Sequence, residues 1–356
     1  MTHLTDALAN SNATAPSVPG PRQRATGRIT WGDVALAAGV SPITASRAIR
    51  GVSNVDPALA QRVADAVARL GYVPDPAARA LASSRSNQVV VLVPMLSNAL
   101  FVDVLEAIHR VLFPAGLQML IGVTHYDAGE EELLLRSYLV NRPAGLMVTG
   151  FDRSEASRQL IRASNLPCVH LMETTDAPGV ACVGFAQVEA GMAITQHLLA
   201  RGRRRIAFVA AQLDARTLQR AEGYRRALRV AGVYEPRLEH LCAEPSSIAL
   251  GGRLFEELMA RHPDVDAIFF CNDDLAHGGI FAAHRLGLAV PSRVAIAGFN
   301  DLAGSDQLVP ALTTVRTPRT QVGEAGANML LDLIRGEPVA QLHVKLGYEV
   351  VVRAST

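Results

Sequence analysis

The pattern of apolar and polar positions changes character along the 356 residues. From Arg28 to Pro74, apolar side chains recur at helical spacing in short stretches. Val34, Ala35 and Ala38 form one compact face, and Leu59, Val63, Val67 and Leu70 form another. Polar residues and glycines mark the ends. Thr30 is placed to cap a first helix, with Asp33 three residues on as a weaker form of the capping box. Gly39 stands where a helix gives way to left-handed backbone, and Val40 is placed to pack between two helices. Ser41 and Pro42 open a second helix as cap and first helical residue. Asp56 and Pro57 open a third in the same way, and Gly71-Tyr-Val-Pro74 stops it. Two short helices about a glycine turn predict a helix-turn-helix, the arrangement whose second helix lies in a DNA major groove.

After Asn87 the pattern is different. Val89 to Pro94 is an apolar run of strand length, followed by a helix over 101–112 and a strand over 116–123. Helix over 130–141, strand over 145–149, helix over 155–164 and strand over 168–172 continue the alternation. The rhythm restarts after Val183-Gly-Phe, with helices over 191–201, 221–231, 251–261 and 276–286. Strands over 205–210 and 267–271 lie between them, a strand over 294–298 follows, and the end of the chain reads as a terminal strand. Buried strands alternating with amphipathic helices imply parallel sheets covered on both faces. Two such α/β lobes follow one another, and ligands of these sheets bind at the carboxyl ends of strands. The cleft between the lobes is the natural site.

Residues 75–86 are short, Ala-rich and flanked by prolines. They read as a linker or as a conditional helix, with Leu81 then available to wedge between base steps. Residues 1–27 read as a disordered tail or an artefact of the chosen start site. They carry no secretory signal, and no apolar run approaches the roughly 20 residues that span a bilayer.

Composition adds two constraints. Mean hydropathy is +0.19 and 49% of residues are hydrophobic, as in a globular protein. Net charge is only +1, yet eight arginines lie from Arg22 to Arg79, before Arg85 itself, against four aspartates and no glutamate. A locally basic headpiece suits phosphate contact. Cys168, Cys182, Cys242 and Cys271 are widely spaced, without a CxxC pair, and read as buried free thiols of a reducing compartment. The chain holds no GxSxG, P-loop, HExxH or His/Cys metal cluster. Neither a catalytic residue, a metal nor a cofactor is expected.

Several motifs follow one another in order from about Arg28 to the C-terminus. They are Asp33-Val-Ala-x-x-Ala-Gly-Val-Ser-x-x-Thr-x-Ser-Arg47, Leu70-Gly-Tyr-x-Pro74, and the Gly191 stretch running to Ile206-Ala207. Ala267-Ile-Phe-Phe-Cys-Asn-Asp-Asp274, Pro291-x-x-Val-Ala-Ile-Ala-Gly-Phe299 and Pro310-Ala-Leu-Thr-Thr-Val315 complete the set, and together the motifs resemble the LacI/GalR family of bacterial transcription regulators. Leu213-Asp-x-Arg-Thr217, Val183-Gly-Phe, Leu171-Met-Glu173 and Thr317-Pro-Arg319 resemble the gluconate-operon repressor branch. The resemblance implies an all-α helix-turn-helix headpiece at 28–74, a hinge at 75–86, and a two-lobed periplasmic-binding-protein-like α/β body at 87–356. Lobe one would take about 87–184 plus 316–340, and lobe two about 185–315 plus 341–356.

The resemblance maps base reading onto Pro42, Ile43 and Arg47, with Thr30, Ser41, Thr44, Ser46, Arg50 and Asn54 at or near the backbone, and Ala78 and Leu81 in the hinge. Arg47 has the forked donors for a guanine or a phosphate, whereas Pro42 and Ile43 offer only apolar contact, for instance to a thymine methyl. For a sugar-acid effector the cleft needs a cation, and Arg216, expected on a loop at a helix entrance, is the first candidate. Arg220, one turn on, matches a position that often faces ligand. Strand-end positions add Asn272 and Asn300 from lobe two, and Ser97, Asn98, Phe101, Thr149 and Glu173 from lobe one. The partners implied are double-stranded operator DNA, a sugar acid such as gluconate or 2-ketogluconate, and a second copy of the chain, with no membrane. The compartment implied is the cytoplasm, on the nucleoid when operator is bound. A periplasmic-type sugar-binding protein without a transcriptional role is the alternative reading.

Overall fold

A computed structural model describes residues 29–49, 55–73 and 86–356. They divide into two compact units after Asp75. The expectations for the tail, for Arg50 and Asn54, and for Ala78 and Leu81 in the hinge lie outside the described residues.

The headpiece unit holds α1 (Trp31–Ala38), α2 (Pro42–Ile49) and α3 (Pro57–Leu70). The punctuation acts as the sequence implies. The Asp33 carboxylate accepts from the Thr30 N–H at 2.7 Å and the Thr30 hydroxyl at 2.8 Å. Asp56 accepts from the Ala58 and Leu59 N–H groups. Gly39 and Gly71 both adopt left-handed backbone. Val34, Ala35, Ala38, Ala45, Val63 and Ala66 close the small core, with Trp31 packed on Tyr72 at 5.1 Å. Two arginines of α3 are spent on this fold. Arg62 donates to the carbonyls of Ala38 and Gly39, and Arg69 to that of Ala37, so they cap the C-terminal end of α1. A Cβ on Gly39 would lie 2.6 Å from the Arg62 guanidinium. Gly39→Ala is therefore expected to cost about 1–2 kcal/mol. It should weaken operator binding by the full chain while the body melts unchanged. Equal operator affinity would contradict this turn.

The body begins with β1 (Gln88–Val93), α4 (Ala99–Leu112), β2 (Gln118–Val123), α5 (Ala128–Leu139), β3 (Gly145–Thr149), α6 (Glu155–Ser164), β4 (Cys168–Met172) and β5 (Ala181–Gly184). Then follow α7 (Gln187–Ala200), β6 (Ile206–Ala210), α8 (Ala215–Val230), β7 (Glu239–Leu241), α9 (Ile248–Arg261), β8 (Ala267–Phe270), α10 (Asp273–Arg285) and β9 (Ala295–Ala297). The chain closes with β10 (Thr314–Arg316), α11 (Arg319–Arg335), β11 (His343–Lys345) and β12 (Glu349–Val351).

Strand alternation explains the first sheet. Val89, Val91 and Val93 join a core with Val104, Ile108 and Leu330 of α4 and α11. Val90 and Leu92 face the other way, onto Leu135 of α5 and Leu160 of α6. Both faces are thus buried, as an all-parallel sheet requires. Its order is β11-β5-β4-β3-β1-β2, and the second sheet runs β7-β6-β8-β9. In each sheet the order reverses at the first strand of the lobe, β1 or β6. Chains diverge there and leave a crevice at the strand ends.

Two expectations are corrected. The last segment does not return wholly to lobe two: β11 pairs parallel with β5, His343 opposite Cys182, and so extends the first sheet. Only β12 goes back, pairing antiparallel with β10. Secondly, α8 starts at Ala215, six residues before the helix expected there, because Asp214 caps it through the Arg216 N–H. Of the cysteines, Cys182 and Cys271 are buried, while Cys168 and Cys242 are partly exposed. The strands β5, β7, β10 and β11 and the helix α11 were not expected from the pattern. Most are three or four residues long, too short to show a period.

Candidate functional site

The headpiece offers α2. Pro42, Ile43 and Arg47 are exposed, Ile43 by 67%. Ala45, on the opposite side, is buried and fixes the helix to its core. Ser41 accepts from the Thr44 N–H at 3.1 Å, and the two hydroxyls lie 2.8 Å apart. Ser41 and Thr44 therefore also shape the helix start. Thr30 and Ser46 are half-buried, Thr30 held by Asp33.

In the body, the strand ends meet in a narrow crevice with a cavity volume of about 40 Å³. That is below the usual volume of a small-molecule site, so its walls stand close. Ser97, Asn98, Phe101, Arg216, Arg220, Asn272 and Asn300 line it. Thr149 and Glu173 do not, contrary to expectation. The Thr149 hydroxyl donates to the Leu92 carbonyl at 3.0 Å, and its residue lines a neighbouring crevice instead. Glu173 accepts from Gln219 at 2.7 Å and from the Phe151 N–H at 3.2 Å.

The two arginines differ in a way the sequence did not show. Arg216 is 5% exposed and sits among carboxylates: Asp214 at 3.1 Å, Glu173 at 3.4 Å and Asp152 at 3.6 Å. Burial works to lower its pKa, but these neighbours with Tyr126 outweigh burial and raise it. Its charge is already matched. Asp152 and Glu173 come from lobe one, so Arg216 also holds the lobes together.

Arg220 is 6% exposed, and no carboxylate lies within ion-pair distance of it among the described residues. It donates to Gln187 Oε1 at 2.9 Å and to the Cys271 carbonyl at 2.8 Å, and stacks on Phe299 at 4.1 Å. Burial pulls its pKa below the ordinary range, and the more distant Asp214 does not offset this. A guanidinium stays protonated nonetheless. A buried, unmatched cation is costly unless a partner arrives.

The crevice also holds unmet acceptors. Asn300 Oδ1 is buried without a hydrogen-bond partner, and so is Gln212 Oε1. Asn98 and Asn272 are less free, since they cap α4 and α10 through the Leu100 and Leu275 N–H groups. Backbone strain gathers here as well. Tyr126, Met172, Gln212 and Asn300 all line the crevice with positive φ. Such strain in non-glycine residues persists where a site demands it.

Several lining residues escaped the sequence reading: Met95, Tyr126, Gln212, Asp214, Thr217, Ser246 and Asp274. The strand-end rule would have found Tyr126 after β2 and Gln212 after β6 had it been applied to them. Ser246, on a long loop, left no signal. Burial and then the Asp214 charge push the Tyr126 hydroxyl up to about 12, so it remains a donor. Burial works to raise Asp214, but Arg216 and Arg220 hold it below the ordinary carboxylate range.

A helix-turn-helix unit joined to a two-lobed body with a polar crevice defines a DNA-binding transcriptional regulator with a small-molecule cleft. Residues 30–75 match the model of bacterial regulatory proteins of the lacI family, and residues 195–356 that of a periplasmic binding protein-like domain. The chain is 56% identical over 333 residues to the HTH-type transcriptional regulator GntR of Pseudomonas aeruginosa, covering 94% of this chain and 97% of that one. To the HTH-type transcriptional regulator GntR of Escherichia coli K12 it is 36% identical over 318 residues, covering 89% and 95%. The crystal structure of the transcription regulator GntR from Chromobacterium violaceum is similar with a TM-score of 0.74 and 47% identity, covering 75% of this chain and 98% of that one. The chain belongs to the LacI family of bacterial regulatory proteins. It is a regulator, not an enzyme. No helix among the described residues is long and apolar enough to cross a membrane.

Proposed function

We propose that this regulator represses genes of sugar-acid metabolism and leaves its operator when a sugar acid such as gluconate or 2-ketogluconate enters the cleft. The observation that carries the reading is Arg220: a buried guanidinium without a carboxylate, beside the unmet Asn300 oxygen. An anionic head answers the first and a hydroxyl the second. Arg216, assigned the cation's part from sequence, instead holds the closed lobes.

The headpiece, residues 28–74, reads one half-site of a near-palindromic operator. Arg47 supplies the polar contact and Ile43 an apolar one. The hinge at 75–86 bends the centre, with Leu81 as the wedge and Ala78 beside it. Two copies pair through their bodies. Exposed Val102 and Phe113 on and just after α4, and Phe281 on α10, support such a face. Effector closes or rotates the first lobes relative to each other, loosens the hinge and lowers operator affinity, in the cytoplasm.

Calorimetry of the full chain against gluconate, 2-ketogluconate, a neutral hexose and a purine tests the reading. Heat from the acids alone is expected. Binding of the neutral hexose or the purine without either acid would overturn it. Leu81→Ala should weaken operator binding in a gel-shift titration and leave calorimetric effector affinity unchanged. An unaltered operator titration rejects the wedge.

A further inference from the structure

The crevice holds acceptors without donors, and these specify the ligand further. Most polar groups on its wall are committed. Asp214 accepts from the Arg216 N–H at 3.0 Å and the Thr217 hydroxyl at 2.9 Å. Asn272 exchanges hydrogen bonds with Ser246. The carboxyl pair at the start of α10 divides in two. Asp273 is fully buried and accepts from the Thr314 hydroxyl at 2.6 Å, the Leu302 N–H at 2.7 Å and the Ser305 hydroxyl at 3.2 Å. Asp274, one residue on, lines the crevice, and no donor reaches its carboxylate among the described residues. Burial, with the charge of Asp273, pushes it up to about 6.

Three acceptor groups therefore await donors: Asp274, Gln212 Oε1 and Asn300 Oδ1. We infer that Asp274 and Gln212 are specificity-determining residues that accept hydrogen bonds from the hydroxyls of the bound acid, and so select a fully hydroxylated aldonate over deoxy and keto analogues. The inference rests on the sugar-acid reading of the same cleft. Its physical basis is the asymmetry of hydrogen bonding. A hydroxyl replaced by hydrogen leaves a buried acceptor unpaired. A hydroxyl replaced by a carbonyl sets acceptor against acceptor. Sites built around a ligand hydroxyl reject such analogues strongly, whereas apolar pockets discriminate weakly. A carboxylate in the first turn also favours the positive end of α10, but that role acts on every ligand alike.

The test is calorimetry of the full chain with gluconate, 2-ketogluconate and the 2-, 3- and 4-deoxy derivatives of gluconate. It uses the wild type, Asp274→Leu, Asp274→Asn and Gln212→Met, with melting curves as a check on folding. Wild type is expected to prefer gluconate to at least one deoxy analogue by on the order of 10-fold or more. Asp274→Leu and Gln212→Met should each lower gluconate affinity while changing that of one deoxy analogue little, so the preference collapses. Asp274→Asn, which keeps one acceptor oxygen, should fall between. A preference unchanged in Asp274→Leu and Gln212→Met overturns the inference and leaves the sugar-acid reading standing. Silence of wild type toward every acid overturns both. If the leucine variant melts early, Asp274→Asn carries the comparison alone, and an unchanged preference there counts against Asp274.

Discussion

Arg220→Ala is expected to lower sugar-acid affinity by on the order of 100-fold or more, while operator binding by the ligand-free protein stays near wild type. The size follows from burial. Truncating one partner of a buried, hydrogen-bonded charge pair costs about 3–5 kcal/mol, because the other charge is left desolvated and alone. In the complex that other charge is the ligand carboxylate. The ligand-free protein suffers less. It loses bonds to Gln187 and the Cys271 carbonyl, but it also sheds an unmatched charge that burial penalises. Arg220→Lys keeps the charge and loses the fork and the stack on Phe299, so an intermediate loss is expected. Calorimetry with gluconate decides. Wild-type affinity in Arg220→Ala, with loss of binding in Arg216→Ala, would reverse the roles given to the two arginines.

Gly278→Val should destabilise the second lobe by roughly 3 kcal/mol or more. There α10 crosses α9 so closely that a Cβ on Gly278 would fall 2.0 Å from the Ile248 carbonyl oxygen and 2.6 Å from the Gly252 nitrogen. Both are backbone atoms and neither can rotate away, so the helices must part. Leu254, Phe255 and Leu258 would lose packing with them. The same crossing recurs in α7 and α8, where a Cβ on Gly223 would fall 2.1 Å from the Val188 carbonyl oxygen, and this close approach seats Arg220 one turn before it. Gly287→Ala is the control: its positive φ carries strain, yet nothing lies within 4 Å of the added carbon. About 1–2 kcal/mol is expected there. Denaturant titration of the full chain separates the cases, and equal stability of Gly278→Val and wild type would refute the close crossing.

Much of this architecture could be read from residue types. Ser41-Pro42 and Asp56-Pro57 announced helix starts because caps and first-turn prolines meet local needs of the backbone. The long apolar strands showed themselves because both their faces are buried. The division of labour between Arg216 and Arg220 did not. Both are arginines one turn apart, and only the fold decides which of them Asp152 and Glu173 reach. Asp273 and Asp274 are likewise indistinguishable in sequence, yet one is locked by Thr314 of β10 with Leu302 and Ser305, and the other lines the crevice. The route of the last residues was hidden for a further reason. A three-residue strand such as His343–Lys345 has no period, and its partner is 161 residues away.

The central claim is that occupancy of the cleft governs grip on the operator. Its most direct test is fluorescence anisotropy of labelled operator with the full chain, at fixed salt, with and without gluconate at a concentration that calorimetry shows to fill the cleft. Operator Kd should rise by about 5- to 150-fold with ligand, the usual span of coupling between two sites. An operator Kd unchanged while the cleft is full would contradict the account.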